Sequence, residues 1–273
     1  MIRSIIKNKP TRLFLVLAGF FVTNALIAEF IGVKIFSMED SLGVPRANIP
    51  LFGSTFSLHL SAGVLLWPVV FIMTDIINEY YGPKGVRFLS FLTVGLISYA
   101  FLMVFGAINL SPSEFFRMEE PITNANSAFK GVFGQGLWII IGSLVAFLIG
   151  QILDVLVFHR IKVVTGENRI WLRATGSTLV SQLIDSFIVL FIAFYLGPRI
   201  EGAVAKQWTL HQVLVTGTGN YLYKFVVALL LTPLIYVVHN WIENYVGLET
   251  ALKMKKAAMG QGEEEYTNVP TAG

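Results

Sequence analysis

Runs of about twenty mainly apolar positions, separated by short polar and basic stretches, recur along the whole chain. A hydrocarbon core of about 30 Å needs about twenty residues of helix to cross it. By that measure six spans are expected, at roughly 12–35, 60–81, 87–110, 132–158, 174–197 and 209–240. The runs are far too long for the ten-residue alternating segments of a membrane β-barrel. The first run, Leu13 to Ile35, is too long for a signal-peptide core and is closed by no small-residue cleavage site, so it is expected to be a retained helix.

Between the first two runs, the stretch 46–60 carries Pro50 and Gly53 and alternates too much for a span. An external hairpin is expected there, with a re-entrant piece as the other reading. After Leu248 the chain turns polar, with Gln261, Gly262, Glu263, Glu264, Glu265 and Pro270, and residues 249–273 are expected to be a disordered cytoplasmic tail. The expected organisation is therefore a single six-helix transmembrane domain over 1–248, all-α in class.

Composition agrees with the pattern. Of 273 residues, 55% are hydrophobic and 14% charged, against about 25% charged in soluble domains. The chain has no Cys, which removes disulfides, thiolate nucleophiles and Cys-ligated metals. The placement of Lys and Arg sets the expected orientation. Thirteen fall on the side of the N-terminus, the 2–3 loop, the 4–5 loop and the C-terminal tail, against six on the other side. An excess of basic residues marks the cytoplasmic side, so both termini are expected there.

Polar residues inside the runs carry the functional signal. Asp75, Asn78 and Glu79 stand at i, i+3 and i+4, one face of a helix, at the end of a run free of charge from Leu58 to Met73. A carboxylate in hydrocarbon costs about 2.5–3.5 kcal/mol on insertion scales, so it implies a buried partner, a wet cavity or a ligand. Glu79 has a second reading, as a rim residue paired with Lys84 or Arg87. Asp154 reads as an interfacial partner of His159, Arg160 or Lys162, and Glu29 as an outer-vestibule residue or a partner of Lys34.

Asp185 and Lys224 fall near mid-bilayer and are read either as a helix–helix staple or as parts of a binding cavity. The motif small-Gln-apolar-apolar-Asp occurs twice, at Gly150 to Asp154 and at Ser181 to Asp185, and brings Gln151 and Gln182 into the polar set. Thr216 to Asn220 contains two Gly and is read as loosened helix or as close packing, with Asn220 and Lys224 on one face. Trp67 shares the Asp75 face and is a stacking candidate or an ordinary packing residue.

No Walker A sequence, H-E-x-x-H pair or Gly-x-Ser-x-Gly elbow is present, so neither an enzyme nor a cofactor or metal site is expected.

Several ordered motifs resemble one family. They are Phe71-Ile72-Met73-Thr74-Asp75-Ile76-Ile77-Asn78-Glu79-Tyr80-Tyr81-Gly82 with Lys84 and Arg87, then Gln151 and Asp154 before Phe158. Trp171 to Thr178, Ser181 to Asp185, and Tyr221-Leu222-Tyr223-Lys224 ahead of Thr232 to Tyr236 complete the set. The chain resembles the six-span vitamin-uptake-transporter type, the queuosine precursor transporters. That resemblance implies import of 7-deazaguanine compounds or queuine across the cytoplasmic (inner) membrane, with a guanine-like heterocycle as small-molecule partner. No nucleic-acid partner is implied, and a homo-oligomer is compatible with it. The site expected for such a solute is a midplane cavity drawing on Asp75, Asn78, Glu79, Trp67, Gln151, Gln182, Asp185, Asn220 and Lys224, with Asp75 or Asp185 gripping the guanine-like edge and Asn78, Gln151, Gln182 and Asn220 orienting it. A carrier or binding subunit for another heterocyclic vitamin-like solute, and a non-transport membrane scaffold, are the alternative readings.

Overall fold

The computed structural model describes residues 7–113, 125–134, 136–165 and 170–259. Five of its helices are long and apolar enough to cross a membrane. The first, α1 (Lys9–Ile31), starts where the Asn8 side chain accepts the Thr11 backbone N–H at 3.2 Å and Pro10 occupies the first turn, where no N–H is needed.

Helix α1 is followed by a small extramembrane cap. Strand β1 (Ile35–Ser37) leads into helix α2 (Met38–Leu42), then β2 (Ile49–Leu51), β3 (Ser54–Phe56) and β4 (His59–Ser61). β1 pairs antiparallel with β4, and β2 with β3. The expected hairpin in 46–60 is present as β2–β3. Its turn is Phe52-Gly53, both at positive φ (48° and 79°), the backbone twist that two-residue hairpins favour. Glu39 of α2 ties the cap together, accepting the Leu58 backbone N–H at 2.8 Å and that of Ala47 at 3.4 Å. The Leu58 N–H holds its carboxyl below the ordinary range.

Helix α3 (Trp67–Ile108) is 42 residues long and breaks at Gly82, where φ is 70° and ψ −179°, just before Pro83. The Thr74 hydroxyl donates to Gln151 Oε1 at 2.9 Å, and the Ser90 hydroxyl reaches the same atom at 3.5 Å. Sixteen residues of unbroken helix would hold Thr74 and Ser90 about 24 Å apart. The chain therefore turns back at Gly82, and the halves 67–81 and 83–108 lie side by side. Only glycine takes that backbone readily, and a Cβ there would also meet the Ala258 backbone at 3.0 Å.

Helices α4 (Ala125–Phe133), α5 (Leu137–Thr165) and α6 (Ile170–Leu190) follow, then a π-turn at Phe191–Leu196 and the short α7 (Gly197–Ile200). Helix α8 (Leu210–Val246) opens with a capping box between Thr209 and Gln212. α6 packs against both α5 and α8, while α3 packs on α1 and α5. The core between them is apolar, with Phe21, Phe71, Ile76, Ile77, Phe147, Phe158 and Ile242 all fully buried.

Two expectations change here. The tail expected to be disordered from 249 begins as helix α9 (Leu248–Ala258), which packs on α3. Its buried Ala251 and Lys255 hold it: the Lys255 ammonium pairs with Glu243 at 2.7 Å and sits over the Tyr80 ring. The rest of that tail, 260–273, lies outside the described residues. The Thr216 to Asn220 stretch is continuous helix. Its glycines accommodate neighbouring rings: a Cβ at Gly219 would fall 2.2 Å from the Phe56 ring, and one at Gly217 2.6 Å from Phe187.

Candidate functional site

A narrow cleft lies between α3, α6 and α8. Each helix offers one face to it: Pro68, Ile72 and Asp75 from α3; Thr175, Thr178 and Gln182 from α6; Lys224, Ala228, Leu231 and Ile235 from α8. The spacings of three, four and seven residues are those of a single helical stripe. The lining mixes the apolar Pro68, Ile72, Ala228, Leu231 and Ile235 with the polar Asp75, Thr175, Thr178, Gln182 and Lys224. An apolar lining with a few polar groups is the composition of a small-molecule site.

Asp75 is 2% exposed. Its two carboxyl oxygens accept from the hydroxyls of Ser177 (3.3 Å) and Thr178 (3.2 Å). Among the described residues no Lys or Arg pairs with it. Gln182 keeps its Oε1 buried without a hydrogen-bond partner, an unused acceptor on the cleft wall. The Lys224 ammonium pairs with Asp185 at 2.5 Å, both side chains largely buried, so the staple exists and half of it faces the cleft.

The acidic cluster read from the sequence divides. One turn beyond Asp75, Glu79 is fully buried between Arg173 (2.6 Å) and Lys162 (3.0 Å). Arg173 also lies 5.9 Å from the Phe158 ring centroid. Glu79 therefore belongs to an interior ion cluster joining α3, α5 and α6. Neither Lys84 nor Arg87 is its partner here, because α5 and α6 run far enough past the apolar runs to carry Lys162 and Arg173 inward.

The other sequence candidates lie off the cleft lining. Asn78 is buried, and its amide nitrogen has no hydrogen-bond partner. Gln151 receives the Thr74 and Ser90 hydroxyls and lines a second, smaller cleft with Val86, Arg87, Ser90 and Phe91. Trp67 packs on Phe147 at 5.6 Å between centroids. Asn220 is half-buried on α8.

Sequence reasoning gave little weight to the hydroxyls. Ser177, Thr178 and Ser181, at i, i+1 and i+4 of α6, face the carboxyls of Asp75 and Asp154, a pattern that becomes visible once α6 is known to lie against α3 and α5. Asp154 also departs from its interfacial reading: it is fully buried, accepts from Ser181 at 3.3 Å, and lies beside Asp75. Glu29 of α1 is buried too and accepts a hydrogen bond from Ser143, rather than pairing with Lys34.

Long apolar helices around a polar cleft make this a multi-pass membrane protein of the solute-carrier class. The family model described as "Putative vitamin uptake transporter" matches residues 61–238, and the chain belongs to that family, one of transporters rather than enzymes. It is similar to the "Probable queuosine precursor transporter" of Bacillus subtilis, 31% identical over 235 residues that span 85% of this chain and 92% of the relative. The protein of the same description from Haemophilus influenzae is 28% identical over 191 residues, 68% of this chain and 72% of the relative. The "Queuosine precursor transporter" of Escherichia coli is 28% identical over 161 residues, 57% of this chain and 63% of the relative. No solved structure matches.

Proposed function

We propose that this protein imports queuosine precursors, 7-deazaguanine compounds or queuine, across the cytoplasmic membrane. The observation that carries the reading is Asp75: a buried carboxylate with no cation partner among the described residues, on the wall of a cleft between three helices. A guanine-like edge presents a ring N–H beside an exocyclic amine, and a carboxylate accepts both in one bidentate pair. Gln182 offers its amide to the ring carbonyl and nitrogens, and Lys224 balances the local charge. The relatives' descriptions support the substrate class.

The topology proposed is six spans with both termini cytoplasmic. The reversal at Gly82 counts α3 as two passes, and the basic-residue asymmetry orients them. On that orientation the Gly82 turn and the docked α9 share the cytoplasmic side.

A ligand panel tests the substrate class. With the purified full chain, 7-deazaguanine is expected to raise the melting temperature, whereas cytosine and thiamine leave it unchanged; equal shifts for all three contradict the reading. The Asp185–Lys224 pair gives a second test. Asp185→Asn combined with Lys224→Met removes both charges and leaves no unpaired ion, so the double variant is expected to fold like the parent. Its uptake is expected below a tenth of the parent's, because the ammonium faces the cleft. Normal uptake would make the pair a structural staple and nothing more.

A further inference from the structure

Toward the Gly82 end of the cleft, the α8 stripe that lines it continues. His239 follows Ile235 at i+4, and Glu243 follows one turn later. His239 is buried and shares a hydrogen bond at 2.8 Å with the hydroxyl of Tyr80, the two rings 5.2 Å apart. Tyr80, also buried, stands on α3 just before the reversal at Gly82. The Lys255 ammonium of α9 lies 5.4 Å from the centre of the same ring and pairs with Glu243 at 2.7 Å. The contacts close a loop: His239, Tyr80, Lys255 and Glu243 each meet the next, and the first and last stand one turn apart on α8. One end of the cleft is thereby held shut across α3, α8 and α9.

Helix α9 is joined to α8 by a single residue. Gly247 lies between Val246 and Leu248 at φ 91° and ψ 140°, and a Cβ there would meet nothing within 4 Å. Close packing does not explain this glycine; the backbone it adopts does. Rotation at that joint parts α9 from α3 and leaves α8 unbroken. Three contacts oppose it on the α3 side: buried Ala251, the Ala258 backbone against Gly82, and the Lys255 ammonium over Tyr80. Once α9 leaves, that ammonium passes into water, so the motion strands no cation in the bilayer.

We propose that α9 is a cytoplasmic latch on the cleft, an inference that rests on the transport reading and the orientation above. With Lys255 seated on Tyr80, the Tyr80–His239 contact closes the inner end; solute leaves when α9 swings away at Gly247. Tyr80, His239 and Lys255 are positioning residues, outside the lining that meets the solute. Tyr80 stands five positions beyond Asp75, about 7.5 Å along α3, so the closed latch lies directly past the solute-gripping carboxylate.

The chain has no Cys, so Ala228→Cys places one thiol on the cleft wall. Its reaction with a membrane-impermeant methanethiosulfonate is followed in inverted and right-side-out membrane vesicles, with no solute added. In the otherwise parental chain, slow reaction from the cytoplasmic face is expected. Lys255→Met and Tyr80→Phe each break one contact of the loop. Each is expected to raise that rate about tenfold, equivalent to about 1.4 kcal/mol taken from the closed state, and to leave the outer-face rate unchanged. Lys255→Arg keeps a cation over the ring and is expected to keep the parental rate. Fast cytoplasmic reaction in the parental chain, or no rise in either variant, overturns the latch. So does a Lys255→Arg protein as fast as Lys255→Met. A rise from both faces with a lower melting temperature is general loosening and overturns it as well. A rise confined to the outer face supports the latch and contradicts the orientation alone. Because no solute enters the measurement, failure of the latch and failure of the substrate reading stay distinct.

Discussion

Replacing Glu79 by Ala is expected to leave little folded protein. The carboxylate is fully buried and holds two buried cations, Arg173 at 2.6 Å and Lys162 at 3.0 Å, across three helices. Removing one partner of a buried ion pair costs about 3–5 kcal/mol, because the remaining charge keeps its desolvation penalty and loses its compensation. Here the lost carboxylate serves two cations, so the upper end of that range applies. For a chain of this size, that corresponds to a fall in melting temperature of roughly 10 °C or more. Size-exclusion chromatography in detergent should show loss of the monodisperse peak, and Arg173→Ala should behave alike. A Glu79→Ala protein that melts with the parent would show that the cluster contributes nothing to the fold.

Asp75→Asn should do the reverse: fold normally and transport poorly. The side chains have the same shape, and the amide oxygen still accepts from Ser177 or Thr178. Neutralising a buried carboxylate that has no cation partner among the described residues removes a desolvation cost instead of creating one. The functional loss comes from chemistry. Asparagine presents an N–H where the guanine-like edge also presents N–H, so one hydrogen bond becomes a clash of donors. Charged hydrogen bonds contribute about 1.5–3 kcal/mol, and each 1.4 kcal/mol is tenfold, so uptake should fall below a tenth with membrane expression intact. Together the two variants separate a residue that holds the helices from one that holds the solute, although they stand four positions apart on one helix.

That separation marks the limit of what the sequence made legible. The i, i+3, i+4 spacing placed Asp75, Asn78 and Glu79 on one face, and the apolar runs identified the helices that carry them. Spacing along α3 contains no information about what each turn meets. Asp75 meets hydroxyls of α6, whereas Glu79 meets Arg173 and Lys162. Those two bases read as loop charges because the positive-inside count measures distance from the apolar runs, and the helices extend past them: α5 to Thr165, and α6 back to Ile170. Asp154 was misread for the same reason. Its basic neighbours in sequence lie further along α5, while its neighbours in space are Ser181 and Asp75.

Small residues misled in a different way. Gly217 and Gly219 resemble a loosened helix in one dimension, yet each leaves room for an aromatic ring, Phe187 and Phe56, and α8 stays unbroken. The break that does occur falls at Gly82, where the sequence marks only the boundary between two expected spans. The start of the tail formed a helix because Ala251 and Lys255 find a surface on α3 that polar composition alone does not reveal.

The central claim is that this chain admits 7-deazaguanine compounds through a cleft gripped by Asp75. Its most direct measurement is the queuosine content of tRNA in cells that lack both precursor synthesis and their own importer. With the parent chain expressed and a 7-deazaguanine precursor added, queuosine should return to tRNA; with Asp75→Asn expressed at the same membrane level, it should not. No rescue by the parent, or equal rescue by Asp75→Asn, would contradict the account.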